Sequence, residues 1–333
     1  MIIIAQAGAV VNINAAPEKT TVRDWSKYNA AVEEISETRT TKWASHKAES
    51  ARVAEKMKKI DMKRGYRMAQ CADTLIYNVC PDCGHIEIKR ANLCRDRFCP
   101  TCNWRLSLQR YATMHKIIDA INLQHGQLRY SFVTLTVRTC PAGKLADTMS
   151  RMSAAYNKMM HRKIYYTDKS IAGFAKSVEV TYNKESRLFH PHYHIIFAWA
   201  DADLSTDIMA DWVRYAAAEG LTATAAAQDA QEIEQGGEGD TMAGAICETF
   251  KYAVKSKQLD DMPLKEFRAL VKELGGKRLV SFGGIFKRAA ESVRANMETV
   301  EDEEMRVCKH CGNTVLDEVI YKWSYGDGEY RIM

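Results

Sequence analysis

Ser177 to Trp199 reads S-V-E-V-T-Y-N-K-E-S-R-L-F-H-P-H-Y-H-I-I-F-A-W. Two runs rich in β-branched and aromatic residues, Ser177–Tyr182 and His192–Trp199, flank the polar stretch Asn183–Arg187, the pattern of a β-hairpin. Side chains alternate along a strand, so His190, His192 and His194 share one face, and His192 and His194 are spaced to grip one ion from a rigid edge. Folding the hairpin about Glu185 or Ser186 brings Glu179 opposite the histidines as a third ligand, with His190 the alternative. Imidazole suits several divalent metals, and so few protein ligands leave open positions for phosphate or water. The expectation is a catalytic metal on a sheet; the bland reading is a polar cluster or a structural zinc site.

Outward from the hairpin, Tyr130–Val137 reads as a strand. Thr41–Met68, with Gly65 as a breaker near its end, Trp104–Asn122, Lys144–Tyr165 and Ala243–Lys257 read as helices. Thr222–Asp240, rich in Ala, Gln, Glu and Gly, reads as a mobile insertion or lid, and Lys277–Lys287 holds a Gly-Gly turn. The fold class expected is α+β, an antiparallel sheet with flanking helices behind a basic, metal-stapled helical region. The expected divisions are a flexible tail over 1–40, a basic helical and zinc-binding region over 41–122, and a catalytic domain over 123–290 with its insertion at 222–240. An acidic linker and a Cys-x2-Cys knuckle follow over 291–333.

The 333 residues are 46% hydrophobic and 27% charged, which excludes a disordered, collagen-like or membrane-embedded chain. No window reaches the ~18 apolar residues of a spanning helix. Met1–Val11 is apolar but lacks a basic leader, so no signal peptide is expected. From Thr41 to Lys116 there are 16 Lys/Arg against 7 Asp/Glu, a balance of +9; from Asp201 to Phe250 the count is 1 against 11, or −10. The basic stretch suits a polyanion such as nucleic acid.

Ten cysteines in close groups fit metal ligation in a reducing cytoplasm. Cys80-x2-Cys83 and Cys99-x2-Cys102 have zinc-ribbon spacing. Cys71, Cys94 and the knuckle Cys308-x2-Cys311 bring the grouped thiols to eight, enough for two four-thiolate sites. Cys140 and Cys247 stand alone and read as small buried hydrophobes. In C-E-T-F-K-Y-A-V-K, Cys247–Lys255, Glu248 and Tyr252 are four apart, one helical turn, with Lys251 and Lys255 flanking the tyrosine.

In their order these elements resemble the rolling-circle plasmid replication initiators of the HUH endonuclease superfamily. Phe132–Thr136 (F-V-T-L-T) is similar to the first motif of that family, His190–His194 to the second, and Glu248 with Lys251, Tyr252 and Lys255 to the third. Cys94–Arg105 (C-R-D-R-F-C-P-T-C-N-W-R) is similar to a cysteine-rich signature of the Gram-positive plasmid branch, as are Arg67–Leu75 and Leu279–Lys287 to its general pattern. The resemblance implies a ferredoxin- or RRM-like core, Mg²⁺ or Mn²⁺ on His192 and His194, and Tyr252 as nucleophile. It implies Glu248 as the base that activates water at termination, with Lys251 and Lys255 in support. One zinc site would be Cys71, Cys94, Cys99 and Cys102 and the other Cys80, Cys83, Cys308 and Cys311; spacing alone instead joins Cys80/Cys83 to Cys99/Cys102.

Implied partners are single-stranded or hairpin-extruded origin DNA, host helicase, DNA polymerase and single-strand binding protein, with no membrane and an oligomer compatible. Arg95, Arg97, Trp104 and Arg105 are candidates to hold DNA. The rival readings are a transposase or mobilisation relaxase of the same chemistry, and a non-catalytic zinc-containing DNA-binding regulator.

Overall fold

Ile195 to Trp199 is apolar at every position because both faces of its strand are covered. The computed structural model of the chain describes residues 25–166, 171–236, 241–251, 254–304 and 307–333. The fold is α+β, two antiparallel sheets with flanking helices.

The first described elements are helix α1 (Trp25–Glu34), a π-helical turn (Ile35–Arg39), α2 (Thr40–Lys58) and α3 (Met62–Ala69). The expected tail over 1–40 is therefore helical from Trp25, and residues 1–24 lie outside the described part. Ala31 and Ile35 are buried beside Tyr77 and Tyr321, which gives this stretch a core to fold against. The single helix expected over Thr41–Met68 is two, because the Asp61 carboxylate caps the second by accepting from the Arg64 N–H at 3.0 Å. Gly65 is no breaker: a Cβ there would lie 2.5 Å from the backbone nitrogen of Lys58, so glycine lets the two helices meet closely. Strands β1 (Thr74–Val79) and β2 (Ile86–Ala91) form a hairpin, and α4 (Pro100–His125) starts with proline in its first turn.

The remaining elements are β3 (Arg129–Thr136), β4 (Cys140–Pro141), α5 (Leu145–Met160), α6 (Lys163–Tyr166), β5 (Ile171–Asn183), β6 (Leu188–Trp199) and α7 (Ser205–Ala218). After them come β7 (Asp229–Ile233), α8 (Met242–Phe250), α9 (Ser256–Asp261), α10 (Leu264–Leu274), β8 (Val280–Gly284), α11 (Ile285–Glu304), β9 (Asp317–Ser324) and β10 (Glu329–Ile332). The central sheet runs β7-β3-β6-β5-β8, with β4 added to β6. One face, carrying Val133, Leu135, Val180, Tyr193 and Ile195, packs against α2, α5, α7 and α10. The other, carrying Tyr130, Phe132, Ala175, Ile196 and Ala198, packs against α4, α8 and α11.

Three expectations are corrected here. The stretch 222–240 is no lid in its described part: β7 pairs with β3 from Tyr130↔Ile233 to Thr134↔Asp229 and closes the sheet edge, with Ile233 buried. Residues 237–240 lie outside the described part. Gly283-Gly284 is a strand-to-helix junction rather than a turn. The segment 291–333 does not stand apart, since β9 pairs with β1 and the second sheet runs β10-β9-β1-β2. Among the described residues no helix is long and apolar enough to cross a membrane.

Candidate metal centre and nucleic-acid groove

The β5–β6 register sets Glu179 opposite His192 and Ser177 opposite His194, on the sheet face that carries Ala175 and Ile196. Glu179 Oε2 lies 3.1 Å from His192 Nε2 and 3.0 Å from His194 Nε2, and all three residues are buried. His192 Nδ1 faces the His190 carbonyl oxygen at 3.2 Å, a contact that fixes the ring with Nε2 directed at Glu179. His194 Nδ1 is 3.2 Å from Thr134 Oγ1, and its ring lies parallel to Phe132 at 5.4 Å. Glu179 Oε1 is buried with no hydrogen-bond partner among the described residues. Two imidazole Nε2 atoms and a buried carboxylate brought together in this way form a ligand set that a divalent cation fits. His190 does not join this set; its Nε2 is bonded to Thr136 Oγ1.

Burial alone would raise the Glu179 carboxyl. Hydrogen bonds from His192, His194 and Lys251 outweigh it and hold the group well below the usual carboxylate range. Lys251 Nζ reaches Glu179 Oε2 at 3.0 Å and also pairs with Glu248. Burial would lower the Lys251 ammonium, but its two carboxylate partners raise it. Glu248, half exposed, comes within 3.9 Å of His194 Nε2. Burial, and then the neighbouring His192, lower His190.

The helix expected over Ala243–Lys257 ends at Phe250, with Lys251 extended. The cause is packing across the sheet: Phe250 is buried on the histidine face and Val254 on the opposite face, and a continuous helix cannot serve both. Glu248 lies in the last turn of α8. Tyr252 itself lies outside the described residues. Lys255 is exposed and precedes α9 as its N-cap residue.

The grouped cysteines form two sets of four. Cys71, Cys94, Cys99 and Cys102 converge, as do Cys80, Cys83, Cys308 and Cys311, so the spacing-based partner of Cys80/Cys83 is replaced by the knuckle from the far end of the chain. Sulfur separations such as 3.5 Å for Cys71–Cys102 and 3.6 Å for Cys83–Cys308 approach the ~3.8 Å edge of a tetrahedron with ~2.3 Å metal–sulfur bonds. Backbone N–H groups of Cys94 and Arg95 donate to Cys71 and Cys102 sulfurs. Cys140 is buried, as expected of it, whereas Cys247 is exposed.

A groove of about 830 Å³ runs between α4, β8 and α11 as far as Lys251. It is lined by Arg97, Arg110, Lys277, Arg278, Lys287 and Arg294, with Glu291 the one carboxylate among the described lining residues. Of the residues expected to hold DNA, Arg97 lies in this groove and donates to the carbonyl oxygens of Leu274 and Lys277. Trp104 and Arg105 are instead engaged within the protein: Trp104 stacks on His46 at 4.6 Å, and the Arg105 guanidinium covers Trp43 and Trp104. Arg95 is exposed, with positive φ beside the first cysteine cluster. Sequence reasoning missed the groove because its cations come from segments far apart in the chain. The spacing of Lys287 and Arg294, two turns along one helix, was the one local signal for it.

A family profile described as replication protein matches residues 85–331. The chain is 27% identical to Protein rep of Lentilactobacillus hilgardii over 87% of its own length and 94% of that protein. It is 28% identical to Protein rep of Streptococcus pneumoniae serotype 2 (strain D39 / NCTC 7466), covering 79% of this chain and 82% of that one. It is 30% identical to Protein rep of Bacillus amyloliquefaciens, covering 68% and 71%. No solved structure matches the chain. The profile match over most of the chain, together with the Rep relatives from Gram-positive bacteria, meets the resemblance carried by the ordered motifs: the chain belongs to the replication-protein family, as a Rep initiator.

Proposed function

We propose that this Rep protein initiates rolling-circle replication of a plasmid in the cytoplasm, as an HUH-type endonuclease that nicks one strand of origin DNA. The observation that carries the reading is the convergence of Glu179, His192 and His194 beside Lys251 at the end of a cation-lined groove. Glu179, His192 and His194 would hold Mg²⁺ or Mn²⁺, which when bound supplies Lewis acidity toward a phosphate oxygen. The groove cations neutralise the backbone of an unpaired or hairpin-extruded strand, and Lys251 adds positive charge where the phosphate is attacked.

Tyr252, next in the chain after Lys251, is the nucleophile. Its oxygen bonds to phosphorus as the P–O3′ bond breaks, giving a 5′-phosphotyrosine and a 3′-OH that takes up the proton and primes host polymerase. The phosphodiester energy is kept, so the step reverses and the enzyme also joins ends. Glu248 accepts a proton from water when the last intermediate is hydrolysed. Host helicase and single-strand binding protein act on the displaced strand. The two thiolate clusters hold structural Zn²⁺.

The test is nicking of a supercoiled plasmid carrying the cognate origin. Wild type should nick with Mn²⁺ and stop in EDTA. Glu179→Ala, His192→Ala and His194→Ala should each slow the reaction by about 10–100-fold or more, with partial recovery at higher Mn²⁺. Nicking that persists at the wild-type rate in excess EDTA would overturn the metal role.

A further inference from the structure

A second hollow, of about 390 Å³, opens on the other side of the same centre, between β7 and α8. Its chemistry differs from that of the groove. Among the described residues its lining holds no lysine or arginine; the Glu232 carboxylate pairs with Arg129 on the other face of β7, and that of Glu248 pairs with Lys251. Phe132 forms part of its wall with its ring held parallel to that of His194. Gln231 and Thr241 supply polar atoms; the Gln231 amide nitrogen already donates to Asp229, which leaves its carbonyl oxygen as an acceptor.

Gly244 gives the hollow a purpose. It lies inside helix α8 with an ordinary backbone conformation, where glycine costs ~1 kcal/mol relative to alanine. Among the described residues a Cβ added at Gly244 meets nothing within 4 Å, whereas one at Gly65, Gly173 or Gly284 collides with backbone. Packing therefore does not require glycine at this position. What its missing side chain leaves open is the hollow itself.

We infer that this hollow is a specificity pocket for one unpaired nucleobase of the origin strand, next to the phosphate that is cut. The inference rests on the proposed nicking reading and deepens it. His194 and Glu248 border both the pocket and the metal centre, so a nucleotide whose phosphate reaches the centre has its base within reach of the pocket. The acceptors Gln231 and Glu248 favour a base that carries an exocyclic amino group, and thymine has none.

The experiment is selection from a fully randomised single-stranded DNA library, with the protein in a Tyr252→Phe background so that strands stay uncut. Bound strands are sequenced for the Gly244, Gly244→Ala and Gly244→Leu forms. The Gly244 form should show one position depleted of thymine by roughly tenfold. Gly244→Leu should lose that preference while keeping the others, and Gly244→Ala should fall between. Circular dichroism should show both variants folded, since each restores helix propensity. An unchanged base preference in Gly244→Leu, or no thymine depletion in the Gly244 form, would overturn the pocket while leaving the nicking reading standing. Failure of the Gly244 form to retain any library strand would overturn both.

Discussion

Glu179 is the residue that turns two histidines into a centre. A glutamate in a strand ordinarily faces water; this one is buried with its carboxylate between two imidazoles and an ammonium. On the opposite face of β5, Lys176 shows the reverse situation. Its ammonium lies 3.6 Å from the Tyr156 ring centroid and 4.3 Å from that of Tyr193, and burial lowers it to about 7. Unfolded, the same lysine titrates near its ordinary value of about 10.4. Between those values the unfolded chain binds one more proton than the folded one, so this group makes stability rise as pH increases. Lys176→Met should therefore be more stable than wild type at pH 6, by about 1–3 kcal/mol, with the difference shrinking by pH 9. Urea unfolding at the two pH values checks it; an advantage that grows with pH would contradict the assignment.

At the scale of elements, the hairpin was legible and the end of α8 was not. Alternation and the polar stretch Asn183–Arg187 were enough to expect β5 and β6 and to set Glu179 opposite the histidines, because strand register follows local pattern. The end of α8 was hidden, since it depends on Phe250 and Val254 entering cores on opposite faces of the sheet, and no local propensity records that. Gly283-Gly284 was seen as a turn for the same reason: its role is close approach of β8 to β5. Gly284 has φ +58°, and a Cβ would lie 2.2 Å from the Ala172 carbonyl oxygen. Gly284→Ala should destabilise the protein by about 2 kcal/mol or more. Gly276→Ala, with φ +70° but open space around it, should cost less than Gly284→Ala. Thermal unfolding of the pair separates clash from backbone strain, and equal losses would count against the packing account.

Over the whole molecule, the C-terminal segment closes back onto the cysteine-rich region: β9 pairs with β1, and Cys308 and Cys311 complete the cluster begun by Cys80 and Cys83. Cysteine counts permitted this arrangement without choosing it, because ligand spacing carries no information about a partner more than two hundred residues away. If the cluster holds zinc, Cys308→Ser should lower the zinc content by one equivalent. It should also speed hydrogen exchange in β1 and β9 while sparing β3 and β6. Unchanged zinc and unchanged exchange would mean that Cys308 does not tie the second sheet together through a metal. The central claim, that this architecture serves a tyrosine which bonds covalently to DNA, is tested most directly by intact-protein mass after incubation with a single-stranded origin oligonucleotide and Mn²⁺. Wild type should gain the mass of the 5′-phosphorylated product strand, and Tyr252→Phe, while still binding the oligonucleotide, should gain none. An adduct of the same mass on Tyr252→Phe, or a cleaved oligonucleotide with no adduct on wild type at any time, would contradict the account.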